Sequence, residues 1–224
     1  MRHTGRPALA GLMIAALALL VVAAPVVTAR SRDCASAPLV PGADLRGCDL
    51  RGRAVSGSDL TGARLDRTIL AGMNLDNGPD GPSTRLSEAS LVGADLTGTV
   101  LSETAMTGVN LTGAAMSGTR MEDTSLSDAT LRRANLSDAQ LFFASLARAD
   151  LRDANLTGAS VLQTFAAEAD FRHADLTGAD FSGSDLTGAN LARAIGLATV
   201  TWADTTCPDG TNSDLNGGTC LGHL

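Results

Sequence analysis

Large apolar side chains recur along this chain at every fifth position. From Leu45 the count lands on Leu50, Val55, Leu60, Leu65, Leu70 and Leu75. It restarts at Leu86 and runs through Leu91, Leu96, Leu101, Met106, Leu111, Met116 and Met121 to Val161. It then continues from Phe171 through Phe181 to Leu191, with Ala166 the one small residue in its path. Two positions before most of these sits Ala, as at Ala89, Ala94, Ala129, Ala134 and Ala154, and the position between is commonly Asp or Asn. A period of five matches neither the 3.6 of a helix nor the 2 of a strand. It predicts a solenoid of short extended pieces, each closed by a turn. Between Leu75 and Leu86 the stretch DNGPDGPSTR, residues 76–85, is rich in turn formers. It reads as a corner loop inserted into the solenoid without shifting its faces.

The segments ANLSDAQL, ADLRDANLTGAS and ADLTGADFSGSDLTGANL resemble the A(D/N)LXX motif of the pentapeptide-repeat family, and the resemblance covers residues 43–195. It implies an all-β solenoid, a right-handed quadrilateral β-helix in which four pentapeptides make one square coil. The physics agrees. With the Leu and the Ala two before it turned inward, each buried Leu contributes about 1.5–3 kcal/mol relative to exposure. Coils about 4.8 Å apart would satisfy the backbone in parallel ladders, and roughly seven coils give a rod on the order of 35 Å long. Glycines at the fifth position, such as Gly93 and Gly98, suit corners that need positive φ.

The first 29 residues form a separate unit. Arg2 and Arg6 precede an apolar run from Ala8 to Val27, and small residues close it at Val27 and Ala29. This pattern predicts a secretory signal cut after Ala29. The run is also close to the roughly 20 residues that span a bilayer, so an uncleaved N-terminal membrane anchor is the alternative. Either way the remainder is expected to be secreted or extracytoplasmic. Without residues 1–29 the chain holds 15 Arg, no Lys and 24 acidic residues, a formal charge of −9. Such a surface argues against nucleic acid as a direct partner.

A stacked solenoid needs its ends covered, and residues 30–42 and 196–224 are expected to serve as caps. Export favours disulfides, and four cysteines allow three pairings. In a rod, Cα atoms at opposite ends cannot approach within the roughly 7 Å that a disulfide requires. This leaves Cys34 with Cys48 and Cys207 with Cys220. Cys48 holds an inward position, so a buried free thiol is its alternative. The tail from Thr201 to Leu224 resembles that of exported bacterial members of the family, and Trp202 is placed as a plug over the last coil.

Candidate chemistry is sparse. There is no Lys for a phosphate loop, no paired-Cys metal spacing, and no motif placing a nucleophile beside His173 or His223. No enzyme, cofactor or metal is expected. Asn212, Asp214, Asn216 and Gly217 echo a calcium loop, but Asn stands first and His223 replaces its closing Glu. Residues 20 apart share a face. One face carries Arg132, Arg152 and Arg172 beside Asp150 and Asp170 as self-neutralising charge rows. Another stacks Thr97, Ser117, Ser137, Thr157 and Thr177, an array that could order water.

The departure most suggestive of function is LFFASL, residues 141–146. With Leu141 inward, Phe142 and Phe143 point out, Leu162 stacks on Phe142 one coil later, and Phe165 lies across the adjoining corner. Exposed apolar clusters mark partner surfaces. The competing expectation is that Phe165 swings inward to fill the space left by Ala166, with Phe142 and Phe143 shielding the corner. The sequence therefore predicts an exported, non-enzymatic scaffold with an unidentified protein or cell-envelope partner, in contact with a membrane only if the N-terminal segment stays uncleaved. The alternative, implied by the gyrase-protecting branch of the family, is a DNA-mimicking modulator of a type II topoisomerase, which the export signal disfavours.

Overall fold

The computed structural model describes residues 34–76 and 81–224. The signal or anchor segment and the first residues of the N-terminal cap lie outside the described residues. The repeat builds its structure through a backbone account that closes on itself. In nearly every pentapeptide the residue before the central Leu bridges to its counterpart on the next coil, as Asp44 does with Arg64 and Asn135 with Asn155. Leu45 N–H donates to Arg64 O at 2.8 Å, Gly47 N–H to Asp66 O at 2.8 Å and Arg64 N–H to Ala43 O at 2.8 Å. Cys48 N–H closes the turn onto Leu45 O at 3.1 Å. The second residue after each Leu takes positive φ, as at Gly47 (68°) and Arg67 (56°), which gives the corner a type II geometry.

One N–H per pentapeptide, that of the residue after Leu, has no carbonyl to meet. The Asp or Asn before Leu supplies the acceptor. Asp95 Oδ1 takes the N–H of Thr97 at 3.1 Å, Asn155 Oδ1 that of Thr157 at 2.9 Å and Asp170 Oδ1 that of Arg172 at 3.1 Å. The D/N of the motif is therefore a backbone requirement, since an unmet amide is costly.

Four such units make a coil. Its faces are numbered one to four from the units centred on Leu45, Leu50, Val55 and Leu60. Bridges join residues 20 apart until the insertion, where Asp59 pairs with Arg85 and Arg64 with Ser90, so six extra residues leave the faces in phase. The loop is narrower than residues 76–85. Thr84 is fully buried and Arg85 bridges both Asp59 and Ala105, so the coil resumes at Thr84. The insertion falls at the corner between faces three and four, after Leu75 and before Leu86. Pro82 folds back there against Gly57, where an added Cβ would lie 3.2 Å from its ring and carbonyl.

The rod also runs past residue 195. Asp180 bridges to Thr201 and Asp185 to Thr206. This eighth coil carries Trp202 and Cys207 in the inward positions, with Trp202 stacked on Phe181 at 5.7 Å. The ladder spacing grows by one residue because Gly196 (φ 79°) leads into a 3₁₀ turn, Leu197–Thr199. Only glycine fits, since a Cβ would collide with the Thr177 backbone.

Disulfides staple both ends. Cys34–Cys48 and Cys207–Cys220 each have Cα atoms 5.4 Å apart. At the N-terminal end Arg53, standing where the repeat has Ala, sends its guanidinium to the carbonyls of Cys34 (2.7 Å) and Ala37 (2.8 Å). At the C-terminal end residues 208–224 fold back as Asn212 pairs antiparallel with Thr206 and the 3₁₀ turn Ser213–Asn216 sits beside Asp204.

Candidate interaction surface

The ladder decides the orientation of the four candidate residues. Phe143 N–H donates to Leu162 O at 3.1 Å, which seats Leu162 directly over Phe142 on the corner between faces three and four. The rings of Phe142 and Phe143 lie 4.1 Å apart and tilted by 53°. Phe165 bridges Ser145 on face four, so its side chain must point outward, while Thr164 and Ala166 on either side are fully buried. The inward swing of Phe165 does not occur. Phe165 is 57% exposed and Phe143 41%, while Phe142 and Leu162 are half-buried between them. Phe142, Phe143 and Leu162 thus form one cluster on the corner, with Phe165 a separate anchor on the next face.

The backbone beneath this corner is unusual. Most turn bonds are near 3.0 Å, as for Ala134 N–H to Leu131 O, and the longest are here, with Thr124 N–H to Met121 O at 3.4 Å and Ala144 N–H to Leu141 O at 3.5 Å, although Thr119 N–H to Met116 O (3.3 Å) and Val200 N–H to Leu197 O (3.4 Å) are also long. Thr164 N–H turns instead to Ser184 Oγ at 2.9 Å. A column of buried hydroxyls runs beneath the corner, and at Leu141 and Val161 it supplies the donor that the turn amide gives weakly or not at all. Thr124, Thr164, Ser184 and Thr205 donate to the carbonyls of Leu101, Leu141, Val161 and Phe181 on the coil before, at 2.8, 2.5, 2.6 and 2.9 Å. The sequence reading passed over this column, although stepping by 20 residues from Thr84 through Thr104 and Thr124 reveals it. Phe143 itself is held at φ 56°, which is uncommon for a bulky residue.

The other candidate features have partners of their own. On face one Arg152 is bidentate to Asp150 (2.8 and 2.6 Å) and reaches Asp170 at 3.5 Å, while Arg172 holds Asp170 at 2.6 Å. Hydrogen bonds from Arg152 and Arg172 hold the Asp150 and Asp170 carboxyls below the usual range. In the hydroxyl array, Thr157 and Thr177 spend their hydroxyl protons on Asn155 and Asp175, each at 2.6 Å. In the tail, Asn212 caps Asp214 N–H at 2.8 Å and reaches Asp204, Asp214 accepts from Asp204 N–H, and Asn216 donates to Thr211. These side chains close the cap rather than leave oxygens converging on one point. His173 is exposed at a corner. His223 meets Asp209 (2.7 Å) and Thr211 (3.4 Å) through the same nitrogen, Nδ1. A proton relay needs the acid and the nucleophile on opposite ring nitrogens.

The corner also gathers acidic residues that the sequence reading did not single out. Glu103 N–H donates to Glu122 O at 2.8 Å and Asp123 N–H to Phe142 O at 3.0 Å, which places Glu103, Glu122 and Asp123 in line below the aromatic pair. Asp185 bridges Phe165 from the other side. Arg120 lies 3.4 Å from Glu122 and pairs with it.

A family model for pentapeptide repeats matches eight copies over residues 43–77, 84–123, 120–158, 134–166 and 167–195, leaving out the six inserted residues. No curated protein sequence matches the chain. Among solved structures, full-length QnrB1, a plasmid-mediated fluoroquinolone resistance protein, is 18% identical, covering 70% of this chain and 90% of its own at a TM-score of 0.38. HetL, a pentapeptide repeat protein involved in heterocyst differentiation regulation in the cyanobacterium Nostoc, is 26% identical, covering 77% and 86% at 0.26. Rfr23 from the cyanobacterium Cyanothece is 21% identical, covering 64% and 90% at 0.24. With its repeats matched from residue 43 to residue 195, this chain belongs to the pentapeptide-repeat family and folds as that family's right-handed quadrilateral β-helix.

Proposed function

We propose that this protein is an exported, non-enzymatic scaffold that holds a protein or cell-envelope partner through Phe142, Phe143, Leu162 and Phe165. The observation that carries the reading is the outward Phe165, 57% exposed beside the Phe143 corner, which together with Phe142 and Leu162 groups apolar side chains that elsewhere on the rod's faces stand singly, as at Val92 and Ile195. Isolated large aromatic side chains on a polar surface are costly to leave wet and are typical anchors of interfaces. The apolar N-terminal segment and two disulfides at the rod's ends support export. The arginine–carboxylate rows on face one break its negative surface into neutral pairs, which weighs against the topoisomerase-modulating alternative.

Two experiments test the reading. Cell fractionation with N-terminal sequencing should find the chain outside the cytoplasm and beginning at Arg30, and a cytoplasmic chain retaining Met1 would overturn export. Phe142→Ser with Phe143→Ser should abolish capture of a partner from cell-envelope extract, and undiminished capture would overturn the contact.

A further inference from the structure

We propose that the occupant of this corner is an extended, cationic peptide segment with an apolar centre, about six residues long, lying along the rod axis. The proposal rests on the contact reading above and adds the chemistry of the partner.

The first ground is the order of side chains along the corner. Backbone bonds link Glu103 to Glu122, Asp123 to Phe142, Phe143 to Leu162 and Gln163 to Ser182 in succession. The corner therefore reads acid, acid, aromatic pair, Leu, polar, and Asp185 stands next to Phe165 on face four. An apolar island sits between carboxylates at both ends.

The second ground is that the strip has ends. On the same corner, Pro82 of the inserted loop packs on Gly57 of the first coil. At the eighth coil the tail covers the corner, with Asn212 and Asp214 bonded to Asp204. The open stretch from the coil of Glu103 to the coil of Asp185 spans four coil steps. At about 4.8 Å per step this is about 19 Å, the length of about six extended residues.

The third ground is charge complementarity. A second copy of this chain docked by a two-fold axis would set carboxylates against carboxylates whichever way the rods ran. Arg or Lys flanking an apolar centre meets the island and both acidic ends together, and interfaces select partners in this way.

The experiment uses the disulfide-bonded full chain and three labelled eight-residue peptides followed by fluorescence anisotropy. The first has a Leu-Phe-Leu-Phe centre flanked by Arg pairs, the second the same centre flanked by Glu pairs, and the third a Ser-Gly centre flanked by Arg pairs. The first should bind at least tenfold more tightly than either of the others. Its affinity should fall at least tenfold with Phe142→Ser and Phe143→Ser. It should also lose severalfold, with a flatter salt dependence, with Glu122→Gln and Asp123→Asn. All four positions are at the surface, and an unchanged melting curve confirms the fold of each variant. Equal binding of the Arg- and Glu-flanked peptides, equal binding of the Ser-Gly peptide, or no binding of any peptide overturns the cationic segment. If partner capture still depends on Phe142 and Phe143, the contact reading survives that failure. If capture and peptide binding both ignore the two Phe residues, both fall.

Discussion

Faces one and two of the rod differ from faces three and four, although one repeat builds all of them. On faces one and two the inward small position is Ala in most coils, as at Ala129, Ala149 and Ala169 or Ala134, Ala154 and Ala174, all buried. Their outer surface is a lattice of short pairs, such as Arg152–Asp150 and Thr157–Asn155. The corner joining faces three and four carries the inserted loop, the column of buried hydroxyls, the stretched turn bonds, the acidic row and the aromatic cluster. The comparison shows how a repeat protein acquires function. The backbone account fixes three of five positions in each unit, and individuality gathers where a side chain can replace a weakened backbone bond.

The core itself should show the largest effects. Phe181→Ala, on face three, removes the ring stacked on Trp202 and set edge-on to Phe171 at 5.8 Å. It should cost about 3–5 kcal/mol in urea unfolding. Leu151→Ala, one coil earlier on face one, should cost about 2–5 kcal/mol, nearer the low end where flanking Leu side chains can close in. A larger loss for Leu151 would mean that the aromatic stack is not the stronger end of the core.

The inward columns should respond in opposite senses to the same residue type. Ala134→Thr inserts a hydroxyl and a methyl into a column already filled by Ala, and should cost about 1–3 kcal/mol. Thr124→Val keeps the volume but withdraws the donor from Leu101 O, and should cost about 1 kcal/mol because that carbonyl retains its turn bond from Thr104 N–H at 3.1 Å. No cost for either substitution, measured by denaturant titration, would deny that the two columns are specialised.

Acid titration probes the paired faces. The Arg51 guanidinium holds the Asp49 carboxyl down from its ordinary 3.8 to about 2, and arginine hydrogen bonds also lower Asp44, Asp150 and Asp170. Folded-state values below the unfolded ones mean that the unfolded chain takes up protons first as the pH falls. The stabilisation is therefore present above about pH 4 and lost progressively toward about pH 2. The melting temperature should fall through that window, and Asp150→Asn with Asp170→Asn should flatten the fall while costing less than about 1 kcal/mol at neutral pH, as exposed pairs do. A slope unchanged by the double substitution would remove face one from the acid response.

The smallest effect has the opposite sign. Asp123 sits at φ 53° on the functional corner. Asp123→Gly should relieve backbone strain and raise the melting temperature by about 2–4 °C, while weakening the Arg-flanked peptide. Gain of stability with loss of binding would separate what the corner does for the fold from what it does for a partner.

The interval of five announced a solenoid with Leu and Ala inward, because steric fit repeats visibly along the chain, while the square coil followed from the family resemblance and the disulfide pairings from the length of a rod. The loop read too wide because Thr84 and Arg85 are neither Ala nor Asp, though one is buried and the other laddered. The eighth coil escaped notice because one residue beyond the count, after Gly196, shifts Trp202 and Cys207 out of step. Arg53 stands where the repeat has Ala, and the fastening of the N-terminal cap by its guanidinium leaves no mark in the interval of five. Phe142 and Phe143 stood out at once, whereas Glu103, Glu122 and Asp123 did not, since carboxylates are ordinary at outward positions.

By itself the sequence determined that the chain winds in fives and which side chains line the interior, since burial of a large residue every fifth place leaves no other periodic backbone that satisfies it. Tertiary structure alone decided the direction of Phe165. Its neighbours Thr164 and Ala166 are locked inward by the ladder from Ser145 to Asp185, and an alternating backbone then leaves its ring no side but the solvent. The same ladder set carboxylates at both ends of the aromatic cluster, a neighbourhood made by residues 20 apart that exists only once the coils are stacked.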